Sequence, residues 1–310
     1  MDIGKVSGIT KELITNEAVL NKSSNILGML FPYMGLTKKA LEIYISDIEK
    51  SNMPSETKIM AVLNAKQTIN KMRNQENIAR IAIDSASKGT NFSKDSGVEE
   101  EWLERFMDSA GFVSKEEVQE IWGKILGKEF ENPGSTPMNM LRILSEITPT
   151  YAQAFRKICS MRGEIIELDD NDDIIGIRMD IMVPYDEDNK EALHKMGLTF
   201  NVLNELETLG LLKFDSVNGF GFSGIRSEKV LSYVNGKTEV ITKYIGNLMP
   251  SGSVLLTEAG KCLSRITPPE IVEGHEMMVK KYMVRKGVKY LESSNYRIEM
   301  IGKSIKVIKI

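Results

Sequence analysis

An α+β protein is predicted by three features of this 310-residue chain. Three amphipathic helical patterns follow one another between Trp102 and Phe155. After Met161 the texture changes to short apolar segments broken by glycine turns. The last stretch reads as a β-hairpin.

Residues 1–56 form an irregular, partly helical lead. Within it, Ile26 to Leu36 (ILGMLFPYMGL) is mostly apolar and is followed by Lys38 and Lys39. This segment is too short to span a bilayer, which takes about 20 residues. Apolar side chains beside a basic pair do suit a lipid headgroup boundary. Leu27, Leu30 and Phe31 are therefore candidate membrane contacts, with a helix and turn packed on the core as the alternative. Residues 57–87 predict one long helix carrying Ile59, Val62, Ile69, Met72, Ile78 and Ile81 on a broad face. Arg73, Gln75 and Asn77 on that helix cannot all share one face. They are expected to form a polar network that fixes helix register rather than a ligand cluster. Gly89 to Gly97 is a polar linker rich in turn formers.

Residues 98–162 are the expected helical core. Ser114 and Glu117 have the spacing of a capping box. Val118, Ile121, Trp122, Ile125, Leu126 and Phe130 then recur as one apolar face. Asn132-Pro133-Gly134 stops that helix. Thr136-Pro137 starts a second, with a stripe of Leu141, Leu144 and Ile147, and Thr148-Pro149 starts a third, with Ala152, Phe155, Ile158 and Cys159. Such faces must be buried together.

This stretch resembles a bacterial family designated domain of unknown function 2806. The residues that carry the likeness are Trp102, Phe106, Val113-Ser114, the run from Gln119 to Leu126, Glu129, Pro133-Gly134-Ser135 and Phe155. Upstream, Arg73, Gln75, Asn77, Ile78 and Ile81 look like that family's preceding helix. The resemblance runs from about Ile26 to Arg265 and is most specific in the middle third. Gly127-Lys128 departs from the alanine and glycine more usual after Ile125-Leu126. A looser likeness to abortive-infection alpha proteins rests on a comparable Trp-x-x-x-Leu helix. Because the family has no established activity, the resemblance implies no catalytic residue.

Residues 163–196 form an acidic, strand-rich connector. From 164 to 188 there are ten acidic side chains against Arg178 alone. Asp169, Asn171, Asp173 and Asp180 fall at calcium-loop positions, but Ile174 stands where the sharp turn requires glycine. The expected structure is two strands, Glu164–Leu168 and Ile174–Ile177, joined by an acidic turn.

Residues 197–267 read as a winged-helix-like module. Thr199 caps a helix bearing Val202, Leu203, Leu206 and Leu209, which ends at Gly210. Leu211 to Phe214 is a strand, and Asn218-Gly219 predicts a hairpin turn before Phe220 to Ile225. Ser253 to Leu256 then runs into a helix through Thr257-Glu258-Ala259-Gly260-Lys261. The full expectation is an N-terminal helical core, a winged-helix-like module and a C-terminal β-hairpin.

The final segment, 268–310, is basic. From Met277 onward nine lysines and arginines face only Glu292 and Glu299. Lys280, Lys281, Arg285, Lys286, Lys289, Lys303 and Lys306, interleaved with Tyr282, Tyr290 and Tyr296, are candidates for binding nucleic acid or an acidic partner. A solvated basic face, or pairing with this chain's own acidic connector, is the alternative. Tyr296–Ile301 and Ser304–Ile310 predict a hairpin about Gly302-Lys303.

Composition narrows the function classes. A net charge of −3 argues against the whole chain being a nucleic-acid binder, and the helix Phe200–Leu209 carries Glu205 and Glu207 but no cation. Cys159 and Cys262 fall on apolar helix faces as buried thiols. The first twenty residues mix charged with apolar positions, so no secretory leader is expected and the cytoplasm is the default location, with the inner-membrane periphery as the variant. His194, placed in a polar linker, and His275, beside Glu276, lack partners at a diagnostic spacing, and no phosphate-binding glycine loop occurs. No catalytic residue, metal or cofactor is expected. The function expected is non-enzymatic, a protein–protein interaction as a component of antiphage defence, with a winged-helix DNA-binding regulator and a membrane-associated effector as alternatives.

Overall fold

A computed structural model of the chain describes residues 26, 29, 30, 32–34, 38–86, 97–171, 173–225, 227, 229–234, 237–242, 248–290, 296–301 and 304–309. The chain divides into two compact units, residues 1–145 and 146–310. The linker expected at Gly89 to Gly97 lies outside the described residues apart from Gly97.

The first unit is helical: α1 (Lys38–Lys50), α2 (Ser55–Ala86), α3 (Glu100–Ala110), α4 (Glu116–Glu131) and α5 (Met140–Glu146). α2 is the long helix the sequence predicts. Its apolar face sinks into the unit mainly toward the C-terminal end: Ile78, Ala79, Ala82 and Ala86 are buried there and Ala65 nearer the start, whereas Ile59 is exposed. Small residues set how closely α2 and α4 approach. A Cβ at Gly123 would overlap Ile81, and one at Gly127 would meet Ser85 Cβ at 2.9 Å and Ala82 O at 3.0 Å. Gly127, the departure from the family pattern, is therefore used for close helix packing. On the other side of α4, Trp122 joins Phe106 at 4.9 Å between ring centroids, and Phe106 stacks on Trp102 at 5.0 Å.

Two expectations for the helix starts change. The Ser114–Glu117 capping box does not form. α4 begins after Lys115, which makes no side-chain cap bond, and Gln119 Nε2 instead donates to Val113 O at 2.8 Å to hold the entering chain. α5 begins at Met140 rather than at Pro137, whose carbonyl accepts Met140 N–H in a preceding turn. The intervening loop is organised by Glu129. Its buried carboxylate accepts the backbone N–H of Gly134 and of Thr136 (2.8 Å) and the Ser135 hydroxyl (3.3 Å).

The second unit opens with α6 (Pro149–Ser160), the third expected helix, capped by Thr148 with proline at its start. The strands β1 (Arg162–Leu168) and β2 (Ile174–Ile181) form the expected antiparallel pair. Next come α7 (Lys190–Lys195) and α8 (Phe200–Leu209), the latter capped by Thr199 and closed by Gly210 at φ +88. The strands β3 (Leu212–Phe214), β4 (Phe220–Ser223), β5 (Lys229–Val234), β6 (Lys237–Thr242), β7 (Leu248–Gly252) and β8 (Val254–Leu256) precede α9 (Glu258–Ile266) and α10 (His275–Arg285). β9 (Lys289–Tyr290) and the terminal hairpin β10 (Tyr296–Ile301) and β11 (Ser304–Lys309) end the chain.

The hairpin expected about Asn218-Gly219 is not formed. β3 pairs with β8 and β4 with β7, so the local turn joins two strands that each find a distant partner. The main sheet is antiparallel in the order β2-β1-β5-β6-β9. β1 is covered on both faces. Ile165 belongs to a core with Met182, Phe222, Val230, Val234, Met249, Val279 and Met283, and Ile166 and Leu168 pack with Leu231 on the other side.

The segment Leu256-Thr257-Glu258-Ala259-Gly260 has a specific packing role. Thr257 Oγ1 donates to Gly210 O at 2.6 Å and accepts Gly260 N–H at 3.1 Å, tying the end of α8 to the start of α9. A Cβ at Gly260 would overlap the carbonyl of Leu211, so only glycine allows this approach.

Candidate functional site

Several of the basic candidates on α10 and β9 have partners within the chain while remaining at the surface. Arg285 Nη1 lies 3.2 Å from Asp188 Oδ2. Lys286 Nζ donates to Val217 O at 3.1 Å and Asn218 O at 3.0 Å, and sits 5.6 Å over the Tyr282 ring. Lys280 Nζ lies 5.2 Å over the Tyr290 ring. Lys281 and Lys289 are exposed. Lys303 lies outside the described residues, and Lys306 is placed by its backbone on β11. The acidic connector and the basic segment thus do meet within one chain, at Asp188 and Arg285.

The loop that brings Asp188 there is built by Asp186 and Asn189. Asp186 Oδ1 accepts Asn189 N–H at 3.0 Å and Asn189 Nδ2 at 2.9 Å, and the buried Asn189 Nδ2 also donates to Met278 O at 3.2 Å on α10. A cleft of about 480 Å³ opens beside this loop, lined by Tyr185, Asp186, Lys190, His194, Tyr282 and Arg285 among others. His194 is not in a linker as expected but in the last turn of α7, where its Nε2 lies 2.9 Å from the Tyr185 hydroxyl. Tyr185 meets Phe214 edge-on at 5.3 Å. Burial raises the hydroxyl pKa of both Tyr185 and Tyr282 above the usual tyrosine value, so both stay protonated near neutrality. Lys190 pairs with Glu187, which leaves the cleft with closely balanced charges.

The remaining sequence candidates have structural roles. Asp169 Oδ1 accepts the N–H groups of Asn171 (2.8 Å) and Asp173 (2.9 Å), so the acidic turn is closed by its own backbone. Among the described residues, no group of three His, Cys, Asp or Glu is placed to hold a metal ion. Gln75 Nε2 donates to Met107 O (2.8 Å), and Asn77 Nδ2 to Gln119 Oε1 (3.3 Å). Gln119 Nε2 donates in turn to Asn74 Oδ1 (3.2 Å), completing a polar network among α2, α3 and α4. Arg73 is exposed. His275 is fully buried, with Nε2 at 2.7 Å from Met182 O, and burial lowers its pKa. Burial pushes the Cys159 thiol up to about 11, and Cys262 is also buried. Leu30, a candidate membrane contact, is fully buried, and Leu27 and Phe31 lie outside the described residues. No described helix is long and apolar enough to cross a membrane.

One surface was not singled out from the sequence. β2 is an outermost strand among those described, and its side chains at Ile175, Ile177 and Met179 are 58%, 44% and 60% exposed. Three large apolar residues in a row on one face of an edge strand are uncommon, because such edges invite another strand to pair. The signal was present as a period of two in Ile174–Ile181. The odd positions 175, 177, 179 and 181 are apolar, and read alone that alternation predicts a buried face rather than an open one.

The model of a family described as "Protein of unknown function (DUF2806)" matches residues 63–279. Neither curated proteins nor solved structures give a match.

Proposed function

From a chain that belongs to the DUF2806 family, which brings no activity with it, we propose a component that works by binding another protein chain rather than by catalysis. The exposed row Ile175, Ile177 and Met179 on edge strand β2 carries this reading. Apolar surface on an edge strand is costly to leave in water and is stabilised by an added chain. The internal pairing of Arg285 and Lys286 points the same way. A nucleic-acid surface needs cations available to phosphate, and these two are already engaged. The biological setting proposed, from the looser abortive-infection likeness, is a defence response.

A DNA-binding regulator is the second reading. It is favoured by the succession α7, α8 and the β3–β8 ladder, which leads into a capped helix as a winged helix does. Purifying the tagged chain from its host with and without nuclease separates the two. A stoichiometric protein that survives nuclease supports the interaction reading. A nucleic-acid signal that nuclease removes, with no protein left behind, would replace it with the regulator.

A further inference from the structure

Among the described strands, β1 is the one ladder neighbour of β2, and three hydrogen bonds show which way the backbone of β2 points. Met182 N–H donates to Met161 O at 2.7 Å just beyond the ladder. In an antiparallel pair the hydrogen-bonded positions alternate. Even-numbered residues of β2 from Gly176 onward therefore direct their N–H and C=O toward β1, and odd-numbered residues direct theirs outward. Two outward groups further along agree with this. Val183 O accepts Ser253 N–H at 2.7 Å, and Ile181 N–H is taken by Asp180 Oδ1 at 2.8 Å. From Ile181 onward the edge is thus closed by the chain itself. Before it, Ile177 and Met179 present their backbone groups outward. Ile175 is the extra residue of the bulge opposite Glu167 and Leu168, with no β1 counterpart.

Among the described residues the open stretch is therefore Ile175 to Met179, the same residues whose odd-numbered side chains are exposed. It holds no proline and no lysine, the residues that usually blunt an edge. Its one cation, Arg178, lies on the opposite face, where Nε pairs with Glu167 Oε1 at 3.1 Å and Nη2 donates to Gly224 O at 3.2 Å.

Resting on the interaction reading of this same surface, we infer that β2 pairs antiparallel with β2 of a second copy of this chain, about a two-fold axis at Ile177. A two-fold pair centres on the midpoint of the stretch it uses, and Ile177 is the midpoint of Ile175–Met179. Ile177 then faces Ile177 of the second copy, and Ile175 faces Met179, so the two apolar rows shield each other side by side. On the other face, Gly176 faces the second copy's Arg178. Gly176 is half-buried, and a Cβ there would stand 3.0 Å from Glu167 Oε1. The absent side chain leaves the second copy's guanidinium a way to Glu167, giving charge complementarity on both sides of the axis. Moving the axis to Arg178 would set the two guanidiniums against each other. Charge thus selects the same register as the free edge.

Sedimentation velocity of the full chain at micromolar concentrations tests the pairing. The expected result is a concentration-dependent dimer whose dissociation constant rises at least about tenfold in Ile177→Lys, where two ammonium groups would meet at the axis. Met60→Lys, on the exposed surface of α2, leaves the dimer unchanged. Mild oxidation of Ile177→Cys gives an interchain disulfide, because facing residues of a hydrogen-bonded pair have Cα atoms about 5.5 Å apart. Both positions are exposed, and circular dichroism confirms folding of each of the three variants. A chain that stays monomeric, or a dimer indifferent to Ile177→Lys, overturns the pairing. If the chain is monomeric but Ile177→Lys loses a purified heterologous partner, self-pairing fails and the interaction reading stands. If Ile177→Lys changes neither, both fail.

Discussion

Arg285 on the last turn of α10 reaches Asp188 at 3.2 Å, joining the most basic part of the chain to its most acidic part. Both side chains are about half exposed, at 47% and 55%. An exposed pair of this kind contributes about 0–1 kcal/mol. Arg285→Ala is therefore expected to shift the melting temperature by no more than a few degrees, and by less at high salt. A large loss of stability would show that the pair anchors the Asp186–Asn189 loop more firmly than its exposure allows.

Helix contact in the first unit depends on Gly123. Gly123→Ala would drive a methyl group into Ile81 and force α2 and α4 apart, at a cost of about 1–3 kcal/mol. Lys124→Ala, one residue away and half-buried, loses only the ion pair with Glu120 and serves as the control. Urea midpoints of the two variants check this. Equal midpoints would mean that the helices do not touch as described.

Gln119 links three segments through its amide. Gln119→Leu leaves Val113 O and Asn74 Oδ1 without their donor, and the expected loss is about 1–3 kcal/mol. Hydrogen exchange should rise most at the start of α4, where the Gln119 amide replaces the capping box. Faster exchange spread evenly over the unit would point to general loosening instead.

His275 gives stability a pH dependence of definite sign. Burial lowers its folded-state pKa from the ordinary value of 6.5. The unfolded chain takes up the proton first, so this contribution is complete above 6.5 and is lost as pH falls through the lowered folded-state value. Glu164 and Asp180, raised by burial, act in the opposite sense, and their burden is relieved as pH falls. The difference between wild type and His275→Gln isolates the histidine. Stability of the wild type should fall more steeply than that of the variant as pH drops below 6.5, whereas parallel profiles would contradict the buried neutral imidazole.

Gly260→Ala tests the α8–α9 junction. Its methyl would strike Leu211 O, a backbone atom that cannot move without disturbing β3. Clear destabilisation is expected, with Glu258→Ala, which loses an exposed pair with Lys261, nearly neutral.

The helices were legible because their signals are local. Thr148-Pro149, Thr199 and Gly210 each act within one turn, and each does what its residue type predicts. Where a long-range contact competed, the local signal lost. Asn218-Gly219 has the residues of a hairpin turn, but Asp215 Oδ1 binds the N–H groups of Val217 and Asn218. Gly219, at φ +72, is needed for the close approach of Tyr282 and Gly252. β3 and β4 then pair with the distant strands β8 and β7, from Ser223 with Leu248 to Leu212 with Leu256, which no window of adjacent residues shows. The candidate cations were readable as a charge excess, but their intrachain partners at Asp188, Val217 and Asn218 were not. The β2 edge was hidden for a related reason: which strand lies outermost depends on the whole sheet order.

Hydrogen exchange at the amides of Ile177 and Met179 tests most directly whether the outer edge of β2 is the contact surface. The chain alone at low concentration is compared with the nuclease-treated complex isolated from its host. The account predicts rapid exchange at both amides in the isolated chain and strong protection in the complex, centred on Ile175–Met179. Exchange that stays rapid in the complex, or protection confined to α10 and β9, would contradict it.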